Sequence, residues 1–272
     1  MRRALFRRTA VAVASVASLT LLVGACGADK PADTPAKGGG KAASDAPAKG
    51  GDPAGSAGSS AKALTAAELE KVALAEGDVT THMIAPGKKA DEVPAGSIKV
   101  DKPECTPLAD AMVGVAVGKP GASVLRKAIE KPAKMKVDPK ASDEEKFKAG
   151  MGALTQPVTV ERLASYDGTG AQEAFAALDK AGKACAGGFG GQQGGDKVNI
   201  AKVTPDAVTG GDEAAGWTFD MKGQGPDEMD VVMKLAAVRK GGTVATFYTF
   251  SLGGTVKAQP VPVIGAQLKK LG

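Results

Sequence analysis

His82 is the first residue to test for chemistry, because it is the only histidine in the chain. A Ser-His-Asp or Cys-His mechanism needs a histidine base within hydrogen-bond reach of its nucleophile. His82 lies in a Thr-Thr-His-Met segment, and no G-x-S-x-G elbow occurs anywhere in the sequence. We therefore expect a surface or packed histidine and assign no catalytic residue.

A glycine-rich run, Gly187 to Gly195, could be taken for a phosphate-binding loop. Such a loop places its glycines between a strand and the first turn of a helix, so that free amides point at the anion. Here the glycines follow a predicted helix and lead into a predicted strand. The run is interpreted as a flexible connection, and the sequence predicts no cofactor.

Acidic clusters could bind a cation, but none has the Asp-x-Asp-x-Asp-Gly spacing of a calcium loop. They are Asp143-Glu144-Glu145, Asp212-Glu213, and Asp227-Glu228 with Asp230. We interpret them as solvated carboxylates at a helix start and in turns.

The eight basic residues between Arg126 and Lys148 could face anionic lipid or wall polymer, but five acidic residues interleave with them. A soluble surface is the simpler interpretation.

The N-terminus has the layout of a secretory signal peptide. Four arginines precede an uncharged run of 17 residues, 9–25, that is shorter than the roughly 20 apolar residues of a membrane span. The motif Leu22-Val23-Gly24-Ala25-Cys26 resembles the lipobox of bacterial lipoproteins. That resemblance implies that residues 1–25 are removed and that Cys26 is diacylated. The protein would then be anchored at the outer face of the cytoplasmic membrane. Sec and twin-arginine export both stay open.

The other two cysteines of the chain are Cys105 and Cys185. If Cys26 carries the lipid, these two remain in an oxidising compartment, where pairing is favoured. A bond across 80 positions would stabilise the fold by on the order of 4 kcal/mol in the chain-entropy model. Two separate buried thiols are the alternative. With one histidine and these cysteines, a histidine-rich zinc site is excluded, and no metal is predicted.

Charge argues against nucleic acid as a partner. The sequence has 35 basic and 30 acidic residues, but four of the basic ones are leader arginines. Residues 63–272 carry 26 of each sign, whereas a nucleic-acid binder should show a basic surplus on the binding domain. Aromatic residues make up 4% of the chain, which also disfavours a carbohydrate-binding cleft.

Residues 26–62 form the predicted tether, which begins at the lipidated cysteine. From Gly27 to Lys62 the segment contains only Ala, Gly, Lys, Pro, Ser, Asp and one Thr, so it cannot bury enough apolar surface to order itself. As a flexible coil it would span roughly 30–35 Å. We expect the globular domain to occupy residues 63–272, a length sufficient for one sizeable core.

The first half of that domain is predicted to mix helices and strands. Thr65 and Glu68 form a capping-box pattern that begins a helix near Leu64 and ends before Gly77. Predicted strands cover 79–84 and 98–100, and a helix covers 106–117. Residues 121–148 look mixed and largely exposed, with a short helix from Asp143.

The second half carries the clearest periodicity. A strand is predicted over 157–166 and a helix over 170–186, in which Phe175, Leu178, Gly182 and Cys185 form one apolar stripe. Alternation around Trp217 indicates a half-buried strand. Glycine turns separate it from strands at 229–238 and 243–252, and a closing helix covers 262–271. The sequence therefore predicts an α+β domain, an antiparallel sheet with helices packed on it.

About 170 residues, from Pro103-Glu104-Cys105 to the closing helix, resemble the extracellular sensor domain of mycobacterial PknH-type receptor kinases. The resemblance is carried by those three residues, the strand ending at Tyr166, the helix to Cys185-Ala186-Gly187 and the Trp217 strand. It implies a twisted antiparallel sheet with a cleft. The chain departs from the pattern because it lacks a second cysteine pair and any kinase.

The function expected from these features is non-enzymatic binding of a small molecule or an envelope protein by a lipid-anchored, sensor-like domain. A carrier that holds a lipid or other apolar ligand in a cavity is one alternative, and an envelope enzyme is another. A tunnel lined by Leu, Val and Met would favour the carrier, and a polar cleft would favour sensing. Perturbed carboxylates in a pocket would favour the enzyme. The ligand-binding residues are not identified by the sequence.

Overall fold

A nine-stranded sheet is the centre of the fold in the computed structural model, which describes residues 62–131, 142–223, 229–252 and 254–272. The sheet order is β1-β3-β4-β9-β8-β7-β6-β5-β2, and every neighbouring pair is antiparallel. The strands are β1 His82–Pro86, β2 Ile98–Val100, β3 Ala122–Glu130, β4 Val158–Ser165, β5 Phe189–Gln193, β6 Asp196–Asp206, β7 Glu213–Met221, β8 Val231–Lys240 and β9 Thr243–Phe250.

The described ranges contain five helices. They are α1 Ala66–Val72, α2 Thr106–Met112, α3 Asp143–Leu154, α4 Gly170–Ala184 and α5 Val261–Leu271, with 3-10 turns at Lys89–Asp91 and Pro103–Cys105. The predicted α+β class is confirmed, and these residues form a single domain. The predicted leader, Cys26 and all of the predicted tether except Lys62 lie outside the described residues.

The two faces of the sheet carry different helices. One, here called the disulfide face, packs its strands against α2 and α4 through Trp217, Phe219, Leu235 and other apolar residues. The other, here called the polar face, packs against α1 and α5 around Leu163, Ala245 and Phe247. Side chains alternate between the faces along each strand, so both faces are buried over the centre of the sheet.

Local sequence signals explain where α1 begins and how α4 packs. Thr65 Oγ1 accepts a hydrogen bond from the Glu68 amide, and Glu68 Oε2 accepts one from the Thr65 amide at 2.8 Å, which confirms the predicted capping box. In α4, Phe175, Leu178 and Cys185 are all buried on the predicted stripe. Gly182 is required there, because a Cβ at this position would collide with the Trp217 ring.

Helix α2 is shorter than predicted. It ends at Met112, where the expectation was Val117. The amides of Val113 and Val115 both donate to the Asp110 carbonyl, and Gly114 follows with a positive φ of 72°. A glycine in this conformation terminates a helix without steric cost.

Two stretches were predicted wrongly. Residues 122–130 are not an exposed mixed segment but strand β3, an interior strand between β1 and β4. The glycine-rich run is not merely a flexible connection, because Phe189–Gln193 form β5. Its glycines permit close packing: a Cβ on Gly191 would lie 2.9 Å from the Lys99 carbonyl oxygen, and Gly188 adopts φ +79° against the backbone of β6.

Candidate binding cavity

A cavity of about 530 Å³ opens on the polar face, where the ends of β1, β3, β4 and β9 meet the loop before α5. That volume suits a small-molecule ligand. Most of the described residues that line it are polar, and none of them is Phe, Tyr or Trp. The polar lining residues are Thr81, His82, Glu130, Thr155, Gln156, Thr159, Thr249, Ser251, Thr255, Lys257 and Gln259.

A row of hydroxyl groups forms the floor of this cavity. Strand register places Thr159 opposite Thr249, and Thr249 opposite Lys234 on β8. The hydroxyl groups of Thr159 and Thr249 lie 2.9 Å apart and share a hydrogen bond, although both residues are almost fully buried. Polar side chains in the interior of a sheet are uncommon and are kept only when they find partners.

Gln259 joins the cavity wall to a partly buried ion pair. Lys234 Nζ lies 2.8 Å from Asp206 Oδ2 and donates to the Thr218 hydroxyl at 2.7 Å. Gln259 Nε2 donates to the same Asp206 oxygen at 3.1 Å. Burial acts to raise the pKa of Asp206, but the Lys234 hydrogen bond and charge outweigh it, so the pKa is lowered. Asp206 therefore stays ionised and fixes Gln259.

His82 occupies the first position of β1 and is 7% exposed. Its Nδ1 lies 2.9 Å from the Thr81 hydroxyl oxygen, and its register partner on β3 is Glu130, another lining residue. Burial lowers the pKa of His82 despite the opposing charge of Glu130, so the ring is neutral at pH 7. The prediction of a packed histidine is thus close to what is seen, but the packing is in a cavity wall.

Glu161 lies on the same face of β4, two residues beyond Thr159. It is fully buried, and neither carboxylate oxygen has a hydrogen-bond partner among the described residues. Burial raises its pKa to about 8, although the Arg126 guanidinium acts in the opposite direction. Arg126 is its register partner but donates its hydrogen bonds to the Leu74 and Leu125 carbonyls and to Glu70. Glu161 is not among the residues that line the cavity.

Cys105 and Cys185 are joined by a disulfide on the disulfide face, with their Cα atoms 5.9 Å apart. Both residues are fully buried between α2 and the end of α4. The bond therefore lies on the opposite face of the sheet from the cavity. The structure therefore contains the predicted disulfide and not two separate thiols.

The acidic clusters divide into different environments. Asp143, Glu144 and Glu145 occupy the first turn of α3, where Glu145 accepts a hydrogen bond from the Ser142 amide. Asp212 and Glu213 are not simply solvated, because both form ion pairs with Arg239. Asp230 pairs with Lys222. Asp227 and Glu228 lie outside the described residues. Across the described parts of the chain, no group of three or more metal-ligating side chains converges.

Other concavities are poorer candidates. A groove of about 560 Å³ at the β2 edge, lined by Lys99, Asp101, Gln192 and neighbouring residues, is wide open to solvent. A smaller depression of about 250 Å³ beside α5 has a mainly apolar wall that includes Val208, Val261 and Ile264. No helix in the described residues is both long and apolar enough to cross a membrane.

Comparison with known proteins adds a structural likeness. No family model matches the sequence, and no curated protein matches it. The fold is similar to the crystal structure of the extracellular domain of PknH from Mycobacterium tuberculosis, with a TM-score of 0.46 and 12% sequence identity. The match covers 77% of this chain and 96% of that one. The resemblance described from the sequence is to the same type of domain.

Sequence reasoning missed Thr159, Glu161, Thr249 and Gln259. One signal was available: Val158 to Leu163 alternates as a strand, yet it places Glu161 and Arg162 next to each other in its middle. Charged residues inside a strand that is otherwise apolar indicate a buried polar group. Gln259 has no such signal, because its position depends on how the loop before α5 folds back onto β6 and β7.

Proposed function

We propose that this protein is a lipid-anchored, extracytoplasmic binding protein whose domain holds a small polar ligand in the cavity on the polar face. It works as a sensor-like module without catalysis of its own. The observation that carries the proposal is the cavity itself, because most of its lining residues are polar and two of them, Thr159 and Thr249, are almost fully buried. Buried polar groups are costly unless they are hydrogen-bonded, and a cavity with several polar lining groups is the usual form of a small-molecule site.

The anchor is proposed from the sequence. Leu22-Val23-Gly24-Ala25-Cys26 supports removal of residues 1–25 and acylation of Cys26, with residues 26–62 as a tether to the domain at 63–272. This placement makes the outer face of the cytoplasmic membrane the working location. It also provides the oxidising surroundings in which a disulfide persists.

The attachment point of the tether supports this arrangement. The amide of Ala63 donates to Asp167 Oδ1 at 2.8 Å, and the amide of Leu64 donates to Ser165 Oγ at 3.0 Å. These contacts lie just beyond one end of β4, while Thr159 and the cavity lie at the other. Ser165 and Thr159 are six positions apart along the strand, which corresponds to about 20 Å. The cavity is therefore at the end of the sheet remote from the tether.

The alternatives are less well supported. A carrier of an apolar ligand needs a large apolar cavity, whereas the mainly apolar depression beside α5 has about half the volume of the polar cavity. An enzyme needs a perturbed acid or base in contact with its substrate. Glu161 has a perturbed pKa but does not line the cavity, and His82 lines it without a carboxylate hydrogen bond to orient it.

The anchor is tested by cell fractionation of the Cys26→Ser variant. We expect the parent in the membrane fraction, with fatty acids on Cys26 in mass spectra of the N-terminal peptide. The variant should lose those fatty acids and keep its leader, because processing in this class follows acylation. Parent protein found free in the medium without acyl chains would reject the anchor.

The binding site is tested by mass spectrometry of small molecules that co-purify with the protein. Ala258 is exposed and lines the cavity, so Ala258→Trp should fill the entrance without disturbing the core. The matched control is Ala176→Trp, at an exposed position of α4 on the disulfide face. A ligand of the cavity should be retained by the parent and by the control but lost from Ala258→Trp. Equal retention by all three proteins would contradict the proposed site.

A further inference from the structure

Exposed apolar side chains are gathered at the cavity end of the sheet. The large apolar residues that are exposed in the described parts of the chain, here called the apolar tips, are Met83, Phe147, Met229, Leu252 and Val261. Leu252 is the most exposed of them, at 76%. Single exposed apolar residues are normal on any protein surface, whereas several in one region indicate an interaction surface. Where these five lie therefore decides whether they form one.

Three of the apolar tips directly follow residues that line the cavity. Met83, Leu252 and Val261 each come one position after a lining residue, in the order His82, Ser251 and Pro260. These three side chains therefore belong to the edge of the cavity.

The other two apolar tips lie in connections at the same end of the sheet. Phe147 is in α3, which connects the end of β3 to the start of β4, and Thr155, just after this helix, lines the cavity. Met229 lies two residues before β8. The second residue of that strand, Val232, forms an isolated bridge with Thr255, another lining residue.

The opposite end of the sheet has a different surface. There the predicted tether meets the domain, where the Leu64 amide donates to Ser165 Oγ. In the described residues of this end, no large apolar side chain is exposed. The apolar tips and the tether therefore lie at opposite ends of the domain, and the tips are a gathered surface and not a random scatter.

Charge makes a small contribution at the cavity end. The connection from Lys131 to Pro157 contains six lysines and four acidic residues. Ion pairs in this region join Lys131 to Glu76 and Lys146 to Asp143. A surplus this small attracts an anionic surface only weakly, because attraction to anionic lipid needs a cluster of basic residues. Attachment at this end would therefore depend mainly on apolar contact.

A lipid bilayer suits these side chains better than a protein partner does. The apolar tips belong to five separate stretches of the chain, in strands, helices and the connections between them. A protein interface needs a surface that packs as densely as a protein interior, whereas the interfacial region of a bilayer receives separate apolar side chains. The tether cannot cover the tips, because residues 27–62 contain no Val, Ile, Leu, Met or aromatic residue.

The tether is long enough to let the cavity end reach the bilayer. Fully extended, residues 27–62 would span about 120 Å. Strand β4, which runs from the cavity to the tether, has eight residues and is about 27 Å long. An anchored domain can therefore turn its apolar tips toward the membrane without stretching the chain. The anchor also keeps the bilayer at a high effective concentration, so weak contacts are sufficient.

We infer that the apolar tips dock the domain on the outer surface of the cytoplasmic membrane, so that the cavity lies beside the lipid headgroups. The inference rests on the proposed anchor and adds a second membrane contact at the other end of the domain. Two contacts orient the domain, which a flexible tether alone cannot do.

The test measures quenching of tryptophan fluorescence by brominated lipid. Acylated protein, with the fatty acids on Cys26 established by mass spectrometry, is reconstituted in phosphatidylcholine vesicles with or without bromine on the acyl chains. Emission of Leu252→Trp should be at least about twofold lower in the brominated vesicles, because an interfacial Trp lies next to the acyl chains. The native Trp217 is buried, so the parent gives the baseline. The matched control is Lys119→Trp, exposed just before β3 at the tether end, which should behave like the parent.

A further variant tests the other apolar tips. Phe147→Asp and Met229→Asp, added together to Leu252→Trp, should weaken the quenching at least about twofold, because a charged side chain is excluded from the apolar part of the bilayer. Both positions are exposed, and circular dichroism melts establish that the fold is retained. Quenching of Leu252→Trp itself should persist at high ionic strength, since apolar contact is not screened by salt.

Several results would overturn the inference. These are quenching of Leu252→Trp no stronger than that of Lys119→Trp, quenching lost at high ionic strength, and quenching unaffected by the two aspartates. A blue-shifted Leu252→Trp emission that brominated lipid leaves unchanged would also overturn it, because a protein such as a second copy of this chain would then cover the tips.

The proposed function can fail separately from the docking. Absence of fatty acids on Cys26 would reject the anchor and this inference together. Acylated protein whose tips stay in water would reject the docking alone. Ligand binding in the cavity is measured independently, by the molecules that co-purify with the parent and with Ala258→Trp.

Discussion

The disulfide face and the polar face of one sheet are built on different principles. On the disulfide face, Trp217, Phe219 and Leu235 meet α2 and α4 in a continuous apolar core that includes the Cys105–Cys185 bond. On the polar face, the apolar cluster around Leu163 and Phe247 stops at a row of threonines. Beyond that row lies the cavity. The same strands therefore form an apolar core on one side and line the cavity on the other.

This contrast shows how a sheet can separate the two tasks. Side chains that alternate along a strand reach opposite faces, so substitutions on one face need not disturb the other. Val158 and Val160 belong to one set of β4 positions, while Thr159 and Glu161 belong to the other. We therefore expect changes on the disulfide face to alter stability first, and changes near the cavity to alter binding or pH response.

Removal of the disulfide should give the largest effect on stability. In Cys185→Ser, the loss of a cross-link over 80 residues is expected to lower the free energy of unfolding by up to about 4 kcal/mol. The reason is that the unfolded chain regains the freedom that the bond removed. Urea unfolding of parent and variant under oxidising conditions measures the change. Dithiothreitol should destabilise the parent and leave Cys185→Ser unaffected, and an unchanged midpoint in the variant would reject this role for the bond.

The elements that sequence periodicity predicts best are those packed on the disulfide face. The α4 stripe and the alternation around Trp217 were both correct because one side of each element is uniformly apolar. The Thr65–Glu68 cap was also readable, since it depends on contacts three residues apart. Local sequence patterns are therefore sufficient to predict this half of the molecule, because its packed surfaces are apolar.

Strands β3 and β5 could not be predicted in the same way. Arg126 makes β3 look exposed, but the loop after α1 covers it and supplies the Leu74 carbonyl as a partner. In β5, Gly190 and Gly191 have no strand propensity of their own, and they are held by pairing with β6 and β2. The cavity could not be predicted from the sequence for the same reason. Gln259 and His82 are brought together by tertiary packing and not by any local motif.

An effect of comparable size is expected from Glu161, on the polar face, and it should appear as a pH dependence. Burial raises the pKa of Glu161 from its ordinary 4.5 to about 8. Between these values the folded protein holds a proton that the unfolded chain has released. The free energy of unfolding should therefore fall as pH rises through this window, by about 1.4 kcal/mol per pH unit where the difference is one full proton.

Glu161→Gln isolates this contribution, because the amide has the shape of the protonated acid and cannot ionise. His82, whose pKa is lowered, and Asp110, whose pKa is raised by burial, titrate in parent and variant alike. The difference between the two urea-unfolding curves from pH 5 to pH 8 therefore reports Glu161 alone, and the variant should gain on the parent as pH rises. Glu104→Gln, at an exposed site, should keep the parent's slope. A difference that stays constant across this range would mean that Glu161 is ionised in the folded protein, and that the polar face tolerates a buried charge beside Arg126.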